Sequence, residues 1–275
     1  MRDVNALVLT GFGLNCDIET AHALELSGAH VQRIHINALI DEPDRLDSCH
    51  ILVFGGGFSW GDDHGAGVLQ AVRMKTHIGD RILTFIDAGN LVMGICNGFQ
   101  TLANFGLLPG IGRQYAARCV ALTANDCGNF RDQWVNLTIN PASPCVFTRG
   151  IEQIELPVRH GEGKFYATDE IIAQLIDRNL VVMQYADDRG QAAGGKFPAN
   201  PNGSLEDIAG ICDPSGRVFG LMPHPEAYNH VTNHPDWTLD CQRRLRLAEP
   251  RHSLERLGVH LFKNAVDFIR SGHGV

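Results

Sequence analysis

The segment that most limits what this chain can fold into is residues 91–100. An apolar run, Leu91-Val92-Met93, gives way to Gly94-Ile95-Cys96-Asn97-Gly98, and a helix-forming run continues from Phe99 to Phe105. A buried strand that turns sharply into a helix holds the residue at the turn in strained backbone angles, and flanking glycines let such a turn close. The pattern is G-x-C-x-G, a nucleophile elbow with cysteine at its centre. The turn also sets Cys96 at a helix N-terminus, where unpaired N–H groups and the helix dipole favour a thiolate. Read from the elbow alone, Cys96 is equally a buried, inert member of a set of eight cysteines.

The rest of the chain supplies the setting for such a turn. Continuous apolar runs at residues 6–9 and 51–54 read as buried strands, and residues 31–36 read as a further strand between them. Helical patterns at 17–27, closed by Gly28, and at 68–88 separate them. Alternation of this kind predicts an α/β fold, a parallel sheet with helices on both faces. In that architecture the site lies at the carboxyl ends of the strands. Gly55-Gly56-Gly57 and Cys96 both occupy such ends. Residues 119–185 read differently, as short strands around a helix at 169–177, and predict a smaller antiparallel or mixed section. A turn at Asn200-Pro201-Asn202-Gly203 follows, then a hairpin of residues 208–212 and 218–222 across Asp213-Pro214-Ser215-Gly216. A last helix at 253–270 carries Leu254, Leu257, Leu261, Phe262, Val266 and Ile269 on one face, as a core stripe.

Composition excludes several classes. With 275 residues, 44% hydrophobic and 20% charged, the chain has the balance of a globular protein. A net charge of −8 leaves no basic footprint for nucleic acid. No apolar run is long enough to span a bilayer, and the N-terminus lacks a signal-peptide pattern. Cysteines at irregular spacing then predict reduced thiols in the cytoplasm. No C-x-x-C pair suggests a structural zinc site. His230 and His234 have helical metal spacing, but the ligand set around them is incomplete, so no metal site is expected. Neither G-x-x-x-x-G-K-[ST] nor G-x-G-x-x-G occurs, so no cofactor is expected on this chain.

The segment Pro223-His224-Pro225-Glu226 follows a strand. Prolines push the residues before them to extended angles, so His224 and Glu226 are expected on one side of an extended chain, where the carboxylate fixes the imidazole tautomer. Taken alone, H-x-E reads more readily as a surface pair. Gly55-Gly56-Gly57-Phe58-Ser59-Trp60-Gly61-Asp62 could cradle an oxyanion or phosphate with its N–H groups. His160-Gly161-Glu162-Gly163 reads as a turn.

Taken together these stretches resemble the class I glutamine amidotransferases, and among them the glutaminase subunits of purine biosynthesis. The matching pieces are Asn15-Cys16-Asp17 with Glu19-Thr20, Gly56 to Asp62, Gly94 to Gln100, His160 to Gly163, Asn200-Pro201-Asn202-Gly203-Ser204 and Met222 to Glu226. They run in the family's order to about residue 227. The resemblance implies one flavodoxin-like amidotransferase domain over 1–275, with its core at about 1–227 and a C-terminal extension and docking helix at about 228–275. It implies Cys96 as nucleophile, His224 as acid/base and Glu226 as its orienter. It further implies an oxyanion hole from the N–H groups of Gly57 and Asn97, and glutamine held by Gln100 and by His160, Gly161 and Glu162. The implied partner is a separate synthetase carrying ATP and Mg, which converts formylglycinamide ribonucleotide to the amidine, joined in many bacteria and archaea by a small third subunit. Lys164-Phe165 stands where arginine and tyrosine are common, and Gly55 where proline is common. Two rival readings are a stand-alone cysteine hydrolase of the related protease-like branch and a catalytically silent regulatory subunit.

Overall fold

A computed structural model of the chain describes residues 3–113, 115, 117–247 and 257–272. The N-terminal half alternates as the apolar runs require. Strand β1 (Asn5–Thr10) leads to α1 (Asp17–Leu26), β2 (His30–His35), a short α2 (Ile36–Asp41) and β3 (Ile51–Phe54). Helix α3 (Val68–Asp87), β4 (Leu91–Ile95) and α4 (Asn97–Phe105) follow. The middle contributes β5 (Val120–Ala124), β6 (Arg131–Ile139), β7 (Gln153–His160), β8 (Glu162–Ala167), α5 (Asp169–Asp177) and β9 (Val181–Ala186). The hairpin β10 (Ile208–Cys212) and β11 (Val218–Leu221), then α6 (Trp237–Leu247) and α7 (Val259–Arg270), complete the order.

Nine strands form one sheet in the order β2-β1-β3-β4-β11-β10-β9-β6-β7. From β2 to β11 every neighbouring pair is parallel, and from β11 onward every pair is antiparallel. Helices cover both faces: α1 packs with α7, and α3 with α2 and α4. Strands β3, β4 and β11 are buried along their whole length, which is why they read as unbroken apolar runs. Leu221 of β11 pairs with Ile95 of β4, so the segments that follow both strands leave the sheet side by side.

The structure changes three expectations for the middle and end of the chain. Strands β6, β7 and β9 extend the main sheet, and only β5 and β8 form a separate two-stranded sheet. The His160-Gly161-Glu162-Gly163 stretch is a bend joining two strands, with His160 ending β7 and Glu162 opening β8. Helix α2 begins at Ile36, where a strand was expected to continue; the His35 side chain accepts the Asn37 N–H and caps it.

Helix α7 begins at Val259. The expected start at 253 and Leu254 lie outside the described residues, while Leu257, Leu261, Phe262, Val266 and Ile269 are all buried. Asn264 donates from Nδ2 to the carbonyls of Phe147 and Arg149, and Arg270 to that of Gly28. The residues before α6 also have a place. His234 packs edge-on against Trp134, with ring centroids 4.6 Å apart, and its Nε2 lies 3.0 Å from Glu155 Oε2. His230 instead accepts the Thr232 N–H at a short turn, so the two histidines go to separate partners.

Candidate active site

The elbow forms at the junction of β4 and α4. Cys96 has φ 50° and ψ −105°, a conformation that side chains with a Cβ rarely adopt. Both flanking glycines are needed sterically. A Cβ on Gly94 would lie 2.8 Å from the Gly98 carbonyl, and a Cβ on Gly98 would collide with the Phe54 carbonyl. The Cys96 N–H donates to the Leu221 carbonyl at 2.8 Å, which fastens the elbow to the end of β11. Cys96 is buried, and its Sγ lies 3.8 Å from the Arg159 carbonyl of β7.

Three residues after Leu221 comes His224. Its N–H donates to the Pro157 carbonyl at 2.8 Å, so the segment is held between the elbow and β7. The extended chain expected over residues 223–226 ends at His224; Pro225–Ala227 is a 3-10 turn, with proline at its start where a missing N–H does no harm. Through that turn Glu226 Oε1 reaches His224 Nδ1 at 2.6 Å, and both side chains are buried. His224 Nε2 is buried with no hydrogen-bond partner, leaving that nitrogen for a nucleophile. Burial opposes charge on the ring. The carboxylate of Glu226 and the sulfur of Cys96 outweigh it and hold the imidazolium well above its ordinary range. A Cβ at Gly258, just before α7, would strike Pro225, so the docked C-terminal helix braces this turn.

The glycine loop after β3 closes the third side. Gly57 has φ +134°, and a Cβ there would sit 2.7 Å from the Asn15 nitrogen. The Asn15 N–H donates to the Gly56 carbonyl at 3.3 Å and the Phe58 N–H to the Gly13 carbonyl at 3.0 Å, which fixes Gly57 between them. Asn97 is the first residue of α4, so its N–H has no acceptor within the helix. The Asn97 side chain donates to Asp62 Oδ1 at 2.8 Å and to Gln100 Oε1 at 3.3 Å. Burial, reinforced by the nearby Glu162 charge and only partly offset by the Asn97 bond, pushes the Asp62 carboxyl up to about 6.

Gln100 donates from Nε2 to the Glu162 carbonyl, and Glu162 Oε2 accepts the Ala66 N–H at 3.2 Å. The bend from β7 to β8 is thereby tied to α4. His160 Nδ1 lies 3.1 Å from Asn125 Oδ1, and its ring fills the space that a Cβ on Gly163 would need. Burial and the charge of His224 push His160 down to about 3, so it is neutral at ordinary pH. Its Nε2 is buried without a partner.

Residues 3–269 match the model of the CobB/CobQ-like glutamine amidotransferase domain. The chain belongs to this amidotransferase family. A protein of Dehalococcoides mccartyi named phosphoribosylformylglycinamidine synthase subunit PurQ is 43% identical over 270 residues, covering 98% of this chain and 99% of its own length. The Methanococcus maripaludis protein of the same name is 40% identical over 262 residues, covering 95% and 96%. Among solved structures, one from Thermotoga maritima described as PurLQS superposes with a TM-score of 0.69 at 30% identity, covering 98% of this chain and all of that one.

Within this amidotransferase the structure brings together Cys96, His224, Glu226, Gly57 and Asn97, and it joins Gln100 to Glu162. Several participants carry no local signal in the sequence. Asn125 donates its amide to the His160 carbonyl and orients that ring, yet it is one asparagine in an unremarkable loop. Arg159 contributes a backbone carbonyl, which no side-chain pattern reveals. Asp62 ends the glycine-rich stretch, and its bond to Asn97 depends on that stretch meeting the start of α4. Cys16 lies 4.0 Å from His224 Nδ1 across a separation of 208 residues.

Proposed function

We propose that this chain is the glutaminase subunit of a phosphoribosylformylglycinamidine synthase. It hydrolyses L-glutamine to glutamate and ammonia, and the ammonia is used by a partner synthetase to convert formylglycinamide ribonucleotide to the amidine in purine biosynthesis. The observation that carries the chemistry is the buried His224–Glu226 pair with its unpartnered Nε2, on the segment that leaves β11 beside the end of β4 where the Cys96 elbow forms.

Each residue has a step. The Cys96 thiolate adds to the side-chain amide carbon of glutamine. The N–H groups of Gly57 and Asn97 receive the developing oxyanion, a contribution of about 3 kcal/mol per donor in comparable sites. His224, as imidazolium, gives its proton to the departing ammonia, and a γ-glutamyl thioester remains on Cys96. His224 then takes a proton from water, whose oxygen adds to the thioester carbon and releases glutamate and the thiolate. Glu226 holds the ring tautomer and stabilises the imidazolium. The backbone of His160 to Glu162, braced by Gln100, lines the place for the substrate's amino-acid end.

ATP and Mg belong to the synthetase in this reading, with a small bridging subunit in the assembly. The full-length likeness to proteins named as subunits supports it. The test is glutamine-dependent amidation by the chain mixed with a candidate synthetase, ATP and the nucleotide. Glutamine must replace ammonia as nitrogen source only when this chain is present. Glutamine hydrolysis that never feeds the synthetase would favour a stand-alone hydrolase.

A further inference from the structure

The thiol of Cys16 has no part in the chemistry above, yet it faces the catalytic pair. Its Sγ lies 4.0 Å from His224 Nδ1, and one ligand atom each from Cys16, His224 and Glu226 falls within a sphere where all are within 4.8 Å of one another. Cys16 is placed there by the Asn15 and Cys16 N–H groups, which both point at the Gly56 carbonyl. Gly56 keeps the space between thiol and ring open. A Cβ there would lie 2.7 Å from His224 Cε1 and 3.2 Å from Cys16 Sγ. Glu226 Oε2 is buried and has no hydrogen-bond partner, so a further carboxylate ligand atom stands unused beside the group.

We infer that Cys16, His224 and Glu226 form a binding site for a thiophilic divalent cation of the zinc type, and that the bound ion switches the glutaminase off reversibly. Thiolate, imidazole and carboxylate are the donor set zinc takes, and three protein donors leave a position for water. A cavity of about 200 Å³, lined by Asn15, Cys16, Glu19, Gly57 and His224 among others, leads to the thiol. Glu19 adds a negative charge along that path. Binding replaces the proton that Nδ1 shares with Glu226 and releases the Cys16 thiol proton to solvent. With Nδ1 on the ion, the ring can no longer become the imidazolium that Glu226 stabilises. Binding depends only on the three donors; the effect on turnover rests on the acid/base role proposed for His224.

Cobalt(II) is the probe, because a cobalt–thiolate bond gives a charge-transfer absorption that imidazole and carboxylate ligands do not. Titrating the whole chain with cobalt(II) should give one equivalent of this band, displaced by zinc and abolished by a chelator. The Cys96→Ala variant should keep the band and Cys16→Ser should lose it, with the folded state of each checked by its thermal transition. Absence of the band, or a band that survives Cys16→Ser and vanishes in Cys96→Ala, overturns the site. Stoichiometric zinc should also lower glutamate release by the wild type at least tenfold, with recovery on chelation. A band present with turnover unchanged overturns the switch. Glutamate release by Cys96→Ala itself would instead overturn the catalytic reading, so the two failures are distinguishable.

Discussion

His224 Nδ1 and Glu226 Oε1 lie 2.6 Å apart inside the protein, and this contact sets the protonation of the site. The ring is held well above 6.5 even though burial alone would lower it. Glutamate release should therefore stay high into the alkaline range and fall only as the imidazolium is lost. Glu226→Gln keeps a hydrogen-bonding oxygen but removes the charge. Its alkaline limb of kcat/KM should move to lower pH, and its turnover should fall well below wild type but less than that of His224→Ala. The stability linkage has the matching sign. A histidine with a raised folded pKa stabilises fully below its unfolded value of 6.5, and that contribution disappears as pH rises through the folded value. Thermal denaturation of Glu226→Gln should show most of its loss on the acid side. A profile identical to wild type would remove Glu226 from the site.

The elbow predicts a clean separation of activities. Cys96→Ala should abolish glutamate release from glutamine, while ammonia-dependent synthesis by the complex continues. Cys96 alone among the described cysteines has a positive φ and sits at the start of a helix after a central strand. Residual hydrolysis near the wild-type rate would transfer the nucleophile to another residue.

Legibility in the sequence followed the range of the contacts. Elements such as α5 (Asp169–Asp177) and β3 (Ile51–Phe54) are readable because their apolar pattern lies within the element itself. Thr168 caps α5 with its own side chain, a signal one residue from the helix. The elbow was readable because both of its glycines are within two residues of Cys96. The continuation of the main sheet through β9, β6 and β7 was not, because pairing partners such as Leu137 and Tyr185 are set by tertiary packing. The same holds for Asp62 beneath Asn97 and for Cys16 beside His224. For the pair His224–Glu226 the contact was anticipated while its backbone was not, since Pro225 starts a tight turn and does not extend the strand.

Asp62 offers a test away from the reacting atoms. Its carboxyl is pushed up to about 6, mainly by burial, so ionising it opposes folding. Asp62→Asn retains an oxygen to accept the Asn97 amide and removes the charge. The variant should melt at a higher temperature than wild type above pH about 6, and the difference should shrink as pH falls and close only below the ordinary carboxylate value of 3.8 to which the shift refers. A melting difference independent of pH would show that the charge is not the cause.

The final prediction concerns coupling to the synthetase. Gly57 is held only by its neighbours' bonds, at 3.3 Å to the Gly56 carbonyl and 3.0 Å from the Phe58 N–H, and its φ of +134° is open to few residues but glycine. A peptide at such a position can turn over at little steric cost, and losing one oxyanion donor slows turnover by about 10²–10³-fold. Phe12 and Phe58, both exposed, flank this loop, so a docked surface could bias it directly. The isolated chain should then release glutamate slowly, and saturating synthetase with ATP and nucleotide should raise kcat more than it changes KM. The gain is bounded by the partner's preference for one loop state over the other. Gly57→Ala should depress turnover by a similar factor in both settings, because a Cβ would press on the Asn15 nitrogen whether or not a partner is bound. Steady-state glutamate release with and without the partner measures both. Turnover already high in the isolated chain and unchanged by the synthetase would separate the loop from regulation while leaving the chemistry of Cys96 in place.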